Sequence, residues 1–165
     1  MEEEWAPIEG FPNYSVSNYG RVRTNYSGRI LVTYQNQSGV VQVGLMDDGR
    51  QKHRSVPLLV AKAFIPQDEM PFDTPINLDG DRLNNSVYNL AWRPRWFAIK
   101  YNQQFRLPYP NAINVPIEDL KTGEVMANSR ECAIRYGLLE QEIVMAIHNF
   151  TYVWPTYQLF RVKER

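Results

Sequence analysis

Oxygen-bearing side chains crowd one turn-rich stretch of the chain. Asp79, Asp81, Asn84 and Asn85 lie there, around an Asp-Gly pair that is typical of a tight turn. Carboxylate and amide oxygens are the ligands that hard divalent cations prefer, so this stretch is one candidate metal site. The same residue types also cap and shape turns, and the sequence favours that structural interpretation.

Few side chains are available for acid–base or thiol chemistry. The chain has two histidines and one cysteine. His53 follows a predicted hairpin turn, which indicates a surface position, and His148 ends the last predicted helix, where a cation suits the helix dipole. Cys132 alone can form neither an internal disulfide nor a cysteine zinc site. Each histidine therefore has an ordinary structural explanation.

The charges sum to zero but are unevenly distributed. The chain has 18 basic and 18 acidic side chains, yet residues 10–46 and 82–117 contain basic residues and no acidic ones. A neutral total argues against strong non-specific attraction to a polyanion, since phosphate binding depends on excess lysine and arginine. The two basic segments favour local phosphate contacts, and chance segregation on a solvated surface explains so few charges equally well.

Composition predicts a soluble, intracellular, globular chain. The hydrophobic share is 44% and the charged share 22%, which excludes a disordered chain. No apolar run approaches the ~20 residues of a membrane-spanning helix, and the acidic start is unlike a secretory signal. We therefore expect no membrane association.

The predicted elements are short strands followed by short helices. In residues 1–55 we predict a turn at 11–14 and a hairpin about the Asp-Gly turn at 47–50. Pro57 opens a helix that ends before Pro66, and residues 93–105 form a second helix. Prolines indicate a linker at 107–116.

The last fifty or so residues have a different pattern. We predict a hairpin at 117–126, a helix capped by Ser129 and stopped by Gly137, a second helix at 139–149 and a strand at 157–162. Two short helices joined at a glycine are typical of a helix-turn-helix unit. The pattern as a whole predicts an α+β chain of small modules.

Three segments, in this order, resemble one family. Trp5 with residues 8–22 (Ile-Glu-Gly-Phe-Pro-Asn-Tyr-Ser-Val-Ser-Asn-Tyr-Gly-Arg-Val) resembles the N-terminal module attached to phage-type HNH homing endonucleases. Residues 59–66, 79–85 and 89–92 resemble the nuclease module itself. Residues 121–124 with 129–138 are similar to the helix-turn-helix segment that reads DNA in these enzymes.

The resemblance implies a ββα-metal finger flanked by DNA-binding appendages. It implies a β-rich nuclease-associated module at 1–55, an HNH-like ββα domain at 56–106, a linker at 107–116 and a helix-turn-helix-like module at 117–165. It also implies Mg²⁺ or another divalent cation if the centre is active, and the cytoplasm of a bacterial host if the protein is phage-encoded. In such a finger the metal stabilises charge on the scissile phosphate.

The chain departs from the family pattern where the chemistry takes place. The general-base position falls on Asn77, the two metal-ligand positions on Ile76 and Ala98, and a further histidine position on Tyr101, while the middle asparagine is kept as Asn89. An amide has no useful basicity near neutral pH, and aliphatic side chains offer no lone pairs to a metal. The pattern is typical of a scaffold that has lost its catalytic centre.

The resemblance also suggests where DNA would bind. Six basic residues lie in or beside the segments that contact the DNA backbone in relatives, namely Arg21, Arg23, Arg82, Arg93, Arg95 and Lys100. Against this, Glu140 and Glu142 begin the second helix of the C-terminal unit, where they would repel phosphate from a recognition helix. They would equally be stabilising at a helix N-terminus.

A cluster of aromatic residues is unusual for a finger helix. Trp96, Phe97, Tyr101 and Phe105 lie where an active relative presents polar residues to DNA. If exposed, they would mark a protein-binding surface, because aromatic residues dominate binding hot spots. Burial against the C-terminal module is the competing explanation, and the sequence slightly favours it.

Three functions are consistent with the sequence. The first is an HNH endonuclease-like protein that binds DNA after losing its nuclease centre, and we favour it. The second is a repurposed protein-binding subunit of a phage complex, using the aromatic region. The third is an active, metal-dependent HNH homing DNA endonuclease with an unconventional centre.

Overall fold

The computed structural model describes residues 1–68 and 71–165 and confirms the α+β class. The described residues form four α-helices and four small antiparallel sheets. They group into two compact units, one of residues 1–77 and 81–95 and the other of residues 78–80 and 96–165. The segment predicted as one ββα domain, 56–106, thus contributes residues to both units.

The first unit contains three sheets and one helix. One sheet has the order β1 (Trp5–Ile8), β2 (Phe11–Ser17), β3 (Val22–Thr24), and a second has the order β4 (Thr33–Gln35), β5 (Val41–Asp47), β6 (Arg50–Ser55). The helix α1 (Val56–Phe64) follows, then β7 (Thr74–Asn77), which pairs with β8 (Leu90–Arg93). Alternate residues of β5 are buried against β2 and α1, so the core of this unit lies between the sheets and the helix.

Local sequence explains most of these elements. Asp48 and Gly49 both have positive φ and form the predicted β5–β6 turn, since such turns need left-handed residues. Ser55 caps α1 by accepting a hydrogen bond from the Leu58 amide, and Pro57 lies in the first turn as predicted. The turn predicted at 11–14 is wrong, because the chain turns at residues 9–10 and β2 begins at Phe11.

The second unit is built on the helices α2 (Arg95–Gln104), α3 (Ser129–Tyr136) and α4 (Glu140–Asn149), of which α2 contributes its residues from Trp96 onward. A three-stranded sheet has the order β10 (Val125–Met126), β9 (Ile117–Asp119), β11 (Phe160–Val162). Gly137 ends α3 in the left-handed conformation, as predicted.

The cap of α3 differs from the prediction. Asn128, not Ser129, accepts the hydrogen bond from the Glu131 amide, and Glu131 accepts in return from the Ala127 amide. Ser129 is instead buried inside the first turn, where its hydroxyl accepts from the Ile113 amide. The end of the predicted linker is therefore fastened to the start of α3.

Candidate nuclease centre and nucleic-acid interface

Asn77, the residue predicted to lie at the general-base position, has a structural role. Asn77 ends β7 and is buried, and its Nδ2 donates to the Asn84 carbonyl oxygen at 2.8 Å and to Asn85 Oδ1 at 2.9 Å. Both amide hydrogens are therefore engaged with the loop that follows. An amide in this arrangement holds a loop and cannot accept a proton from water at neutral pH.

The same loop is tied from a second side. Asn89, at the end of a 3₁₀ turn (Val87–Asn89), donates from Nδ2 to the Asn84 carbonyl oxygen at 2.9 Å. Asn85 Nδ2 donates to the Arg82 carbonyl oxygen, and Asp81 Oδ1 accepts from the Leu83 amide. These contacts agree with the turn-shaping interpretation of the acid and amide cluster.

The residues at the predicted ligand positions do not fit a metal ion. Ile76 is 1% exposed in β7, and Ala98 is buried in α2. Neither side chain has a donor atom, and the amide of Asn77 is directed at the loop. Within residues 1–68 and 71–165, no three histidine, cysteine, aspartate or glutamate side chains gather where they could hold a metal.

In the second unit, aromatic side chains of α2 pack against residues 78–80. Tyr101, at the further histidine position, is fully buried, and its hydroxyl donates to the Leu78 carbonyl oxygen at 2.6 Å. Phe105 packs so close to Gly80 that a Cβ on that glycine would lie 2.5 Å from the ring. Gly80 also has a φ of +78°, so the turn requires glycine on two counts.

Both histidines lie on the surface, which was predicted for His53, and His148 lies at the end of the last helix as predicted. His53, in β6, is exposed, and its Nδ1 lies 2.8 Å from the Tyr34 hydroxyl. His148 is exposed in the last turn of α4.

Two of the predicted DNA-binding arginines lie along and just before β3. Arg21 is exposed and forms a two-point ion pair with Glu3, and this hydrogen bonding lowers the pKa of the Glu3 carboxyl below its ordinary value. The guanidinium of Arg23 lies over the Trp5 ring, 4.1 Å from its centroid. Both guanidinium groups are thus positioned rather than free to rotate.

The other four predicted contacts differ in accessibility. Arg93 is only 7% exposed and donates to the Trp92 carbonyl oxygen, and Arg82 donates to the Ser38 carbonyl oxygen at 2.6 Å. Arg95 and Lys100 are exposed on α2. A buried guanidinium presents little surface to a phosphate, so Arg93 is the least accessible of the six.

Sequence reasoning missed three exposed basic residues on β6. Arg50, Lys52 and Arg54 alternate along this strand and share one side of it. Lys52 pairs with Asp47, and Arg54 lies over the Phe11 ring. Their period-two spacing after a predicted hairpin turn was the signal that could have identified them.

The two acidic residues at the start of α4 have different environments. Glu140 is 2% exposed, accepts from the Ser129 hydroxyl at 2.7 Å and pairs with Arg130 at 3.1 Å. Its backbone amide donates to Gln104 Oε1, which connects α4 to α2. The expectation that both glutamates face phosphate is therefore wrong for Glu140, whereas Glu142 is exposed.

Most of the aromatic region is buried within the second unit. Phe97 and Tyr101 stack on each other inside it, and Phe105 packs edge-on against Tyr101. Trp96 is 53% exposed and stacks on Trp154 at 5.5 Å between ring centroids. Burial against the C-terminal module thus accounts for Phe97 and Tyr101, whereas Phe105 is half-buried. Among the described residues, no helix is long and apolar enough to span a membrane.

Comparisons with known proteins match this chain to one family motif and to curated endonucleases. Residues 3–46 match the NUMOD4 motif. The uncharacterized HNH endonuclease L245 of Acanthamoeba polyphaga mimivirus is 34% identical over 92 residues, which are 56% of this chain and 27% of that protein. DNA endonuclease I-HmuI of Bacillus phage SP01 is 34% identical over 90 residues, or 54% of this chain and 51% of that protein.

The fold is also similar to a solved structure. The HNH homing endonuclease I-HmuI, whose structure describes DNA binding and cleavage, matches with a TM-score of 0.54 and 24% identity, over 98% of this chain and 99% of that chain. By sequence, the matched region spans between about a quarter and about half of the curated relatives. At this identity the structural likeness establishes the fold alone.

Proposed function

We propose that this chain, which is similar to HNH homing endonucleases, binds duplex DNA without cleaving it. The observation that carries the proposal is the environment of Asn77. Both of its amide hydrogens are donated to the Asn84–Asn85 loop. The side chain at the predicted base position therefore stabilises this loop and does not act as a base.

The neighbouring positions support the same conclusion. The two predicted metal-ligand positions are occupied by the buried aliphatic side chains of Ile76 and Ala98. The predicted further histidine position is occupied by Tyr101, which is buried and donates a hydrogen bond from its hydroxyl. These replacements favour packing over metal binding. A protein with all of these changes together is expected to be inert towards the phosphodiester bond.

DNA binding is supported by the accessible cations of the first unit. Arg21 and Arg23 are held in place by Glu3 and Trp5, and an arginine fixed in this way loses little side-chain entropy when it meets a phosphate. Arg23 is half-buried, and Arg95 adds a further cation that is exposed like Arg21. Because the net charge is zero, we expect weak binding that falls steeply with salt.

The alternative of a protein-binding subunit has less support. It depended on an exposed aromatic surface, and Phe97 and Tyr101 are buried in the second unit. The alternative of an active endonuclease requires a base and a ligand set that the finger positions do not provide. Mg²⁺ therefore enters this proposal only as a reagent in its test.

One assay tests both parts of the proposal. The full chain is incubated with supercoiled plasmid and Mg²⁺ or Mn²⁺, and nicking is measured together with salt-dependent retention of linear duplex DNA. We expect retention without nicking. Metal-dependent nicking that Asn77→Ala abolishes would overturn the loss of cleavage, and undetectable retention at low salt would overturn DNA binding.

A double variant identifies the DNA-binding surface. Arg21→Gln and Arg23→Gln together remove two phosphate contacts. The plot of log affinity against log salt should therefore become less steep, its slope decreasing in magnitude by about 2. The matched control is Arg161→Gln, which removes an exposed arginine that is ion-paired with Glu118 in the second unit. An unchanged slope in the double variant would show that this surface does not bind DNA.

A further inference from the structure

An open pocket in the second unit lies between α2, α4 and the segment at 151–154. Its volume is about 500 Å³, which is within the range of small-molecule sites. Trp96, Tyr152 and Trp154 supply aromatic surface, Lys100 supplies one cation, and Glu142 with Asn149 supplies polar groups. The nuclease positions discussed above do not line it.

The aromatic groups of the pocket are accessible and firmly supported. Trp96 and Tyr152 are 53% and 66% exposed, while Phe97 beneath them is almost fully buried and meets Trp154 edge-on. The 151–154 segment is fixed by backbone hydrogen bonds from Thr151 to Ala146 and from Val153 to Gln158. A rigid aromatic surface binds a flat ligand with little loss of conformational entropy.

The charges of the pocket indicate which flat ligand it suits. The Lys100 ammonium already lies 5.6 Å from the centroid of the Trp96 ring, so a second cation would be repelled from that ring. A neutral aromatic group attached to one negative charge would instead stack on the rings and pair with Lys100. A nucleobase with its phosphate is one ligand that has this combination.

The polar groups of α4 add a preference among bases. Glu142 and Asn149 both face the pocket. A carboxylate accepts two hydrogen bonds from the adjacent N1–H and N2–H groups of guanine, whereas thymine offers on that edge a single N3–H donor flanked by two carbonyl oxygens, which repel a carboxylate. Purines also offer the larger stacking surface.

We propose that the pocket between α2 and α4 binds an unpaired nucleobase, with guanine preferred over thymine. This site is distinct from the duplex-binding surface proposed above and does not depend on Arg21 or Arg23. Stacking supplies most of its affinity, so binding there depends weakly on salt, unlike phosphate binding. Stacking in this pocket would let a chain of zero net charge bind single-stranded or distorted DNA.

The test uses the full chain and short labelled single strands. Fluorescence anisotropy at 0.5 M NaCl compares oligo(dT), the same strand with one central dG, and the same strand with an abasic site there. We expect the dG strand to bind most tightly. Trp96→Ala and, as a second variant, Tyr152→Ala should each weaken it roughly 5- to 100-fold.

Further variants separate the contributions. Trp96→Phe should retain most of the affinity, Glu142→Gln should reduce the preference for dG over dT, and Ile99→Ala is the matched control, since Ile99 is exposed on α2 but does not line the pocket. Equal binding of the dG and abasic strands, or an unchanged affinity in both Trp96→Ala and Tyr152→Ala, would overturn the proposal. Duplex retention and its dependence on Arg21 and Arg23 are measured separately, so failure of either proposal is distinguishable from failure of the other.

Discussion

The loop around Asn77 and the pocket between α2 and α4 contain similar polar groups in opposite situations. In the loop, the amides of Asn77, Asn85 and Asn89 donate to other atoms of the same segment. In the pocket, Lys100, Glu142 and Asn149 are exposed beside aromatic rings. The first region maintains the fold, and the second retains groups that a ligand can reach.

The comparison teaches that residues at predicted catalytic positions can be fully used by the fold. At the predicted base position, hydrogen bonds from Asn77 stabilise the loop, and at the predicted ligand positions Ile76 and Ala98 bury apolar surface. Residue type alone would present the Asp79–Asn85 stretch as the chemical centre of the chain. Its amides, however, are hydrogen-bonded within the segment, whereas the polar groups of the pocket are exposed.

The largest expected effect contrasts the two glutamates of α4. Glu140→Ala should destabilise the protein by about 3–5 kcal/mol, because it leaves Arg130 and Ser129 without their buried partner. Glu142→Ala should change the free energy of unfolding by less than about 0.5 kcal/mol, since its side chain is exposed. Urea denaturation of both variants measures the difference, and equal effects would contradict the contrast.

A smaller effect tests how closely the aromatic residues pack against residues 78–80. Gly80→Ala should cost about 2–4 kcal/mol, because its positive φ and the nearby Phe105 ring both oppose a Cβ. Gly123→Ala is the matched control in the same unit, with a similar φ and open space around it, and should cost only about 1–2 kcal/mol. Thermal unfolding measures the melting temperatures of the two variants. A smaller decrease for Gly80→Ala than for Gly123→Ala would contradict the close packing of Phe105 on Gly80.

The structural role of Asn77 leads to a third prediction. Asn77→Ala removes two hydrogen bonds and leaves Asn85 Oδ1 buried without that donor, so we expect a loss of about 1–3 kcal/mol. Duplex DNA retention should be unchanged for the fraction that remains folded. Denaturation midpoints check the first result, and a variant as stable as the wild type would show that the amide is dispensable to the loop.

The smallest expected effect depends on pH. Hydrogen bonding from Arg21 lowers the pKa of Glu3 below its ordinary 4.5, so this pair stabilises the fold above that pH and its contribution is lost as the pH falls through the lowered pKa. Glu3→Gln should therefore shift the urea midpoint slightly at pH 7, and by progressively less as the pH falls below 4.5. Glu2→Gln is the neighbouring control, and a shift that grows as the pH falls below 4.5 would contradict the ion-pair explanation.

Local signals predicted much of the fold. The Asp-Gly turn between β5 and β6, the proline in the first turn of α1 and the glycine stop of α3 are all decided by residues within a few positions. The misread turn at 11–14 has a physical cause: the register of β1 and β2 shifts between Pro7 and Ile8, and this irregularity accommodates Pro12 inside a strand.

The properties of the candidate site depended on contacts that sequence spacing does not reveal. Asn128 and Ser129 are both suitable caps, and only the burial of Ser129 against Glu140 decides between them. The same contact buries Glu140, which was predicted to repel phosphate, inside the second unit. Likewise, the sequence predicted that Asn77 cannot act as a general base. It did not predict that the amide of Asn77 donates hydrogen bonds to residues seven and eight positions further along the chain.

Metal binding tests the central claim most directly. Mn²⁺ is titrated into the full chain without DNA, and its free signal is followed by electron paramagnetic resonance. The account predicts no stoichiometric bound ion, because Ile76 and Ala98 provide no donor atoms and the two Nδ2 hydrogen bonds of Asn77 hold its side chain to the loop. One tightly bound Mn²⁺ per chain that disappears in Asn77→Ala or Asp79→Ala would contradict it and restore the active endonuclease as the better explanation.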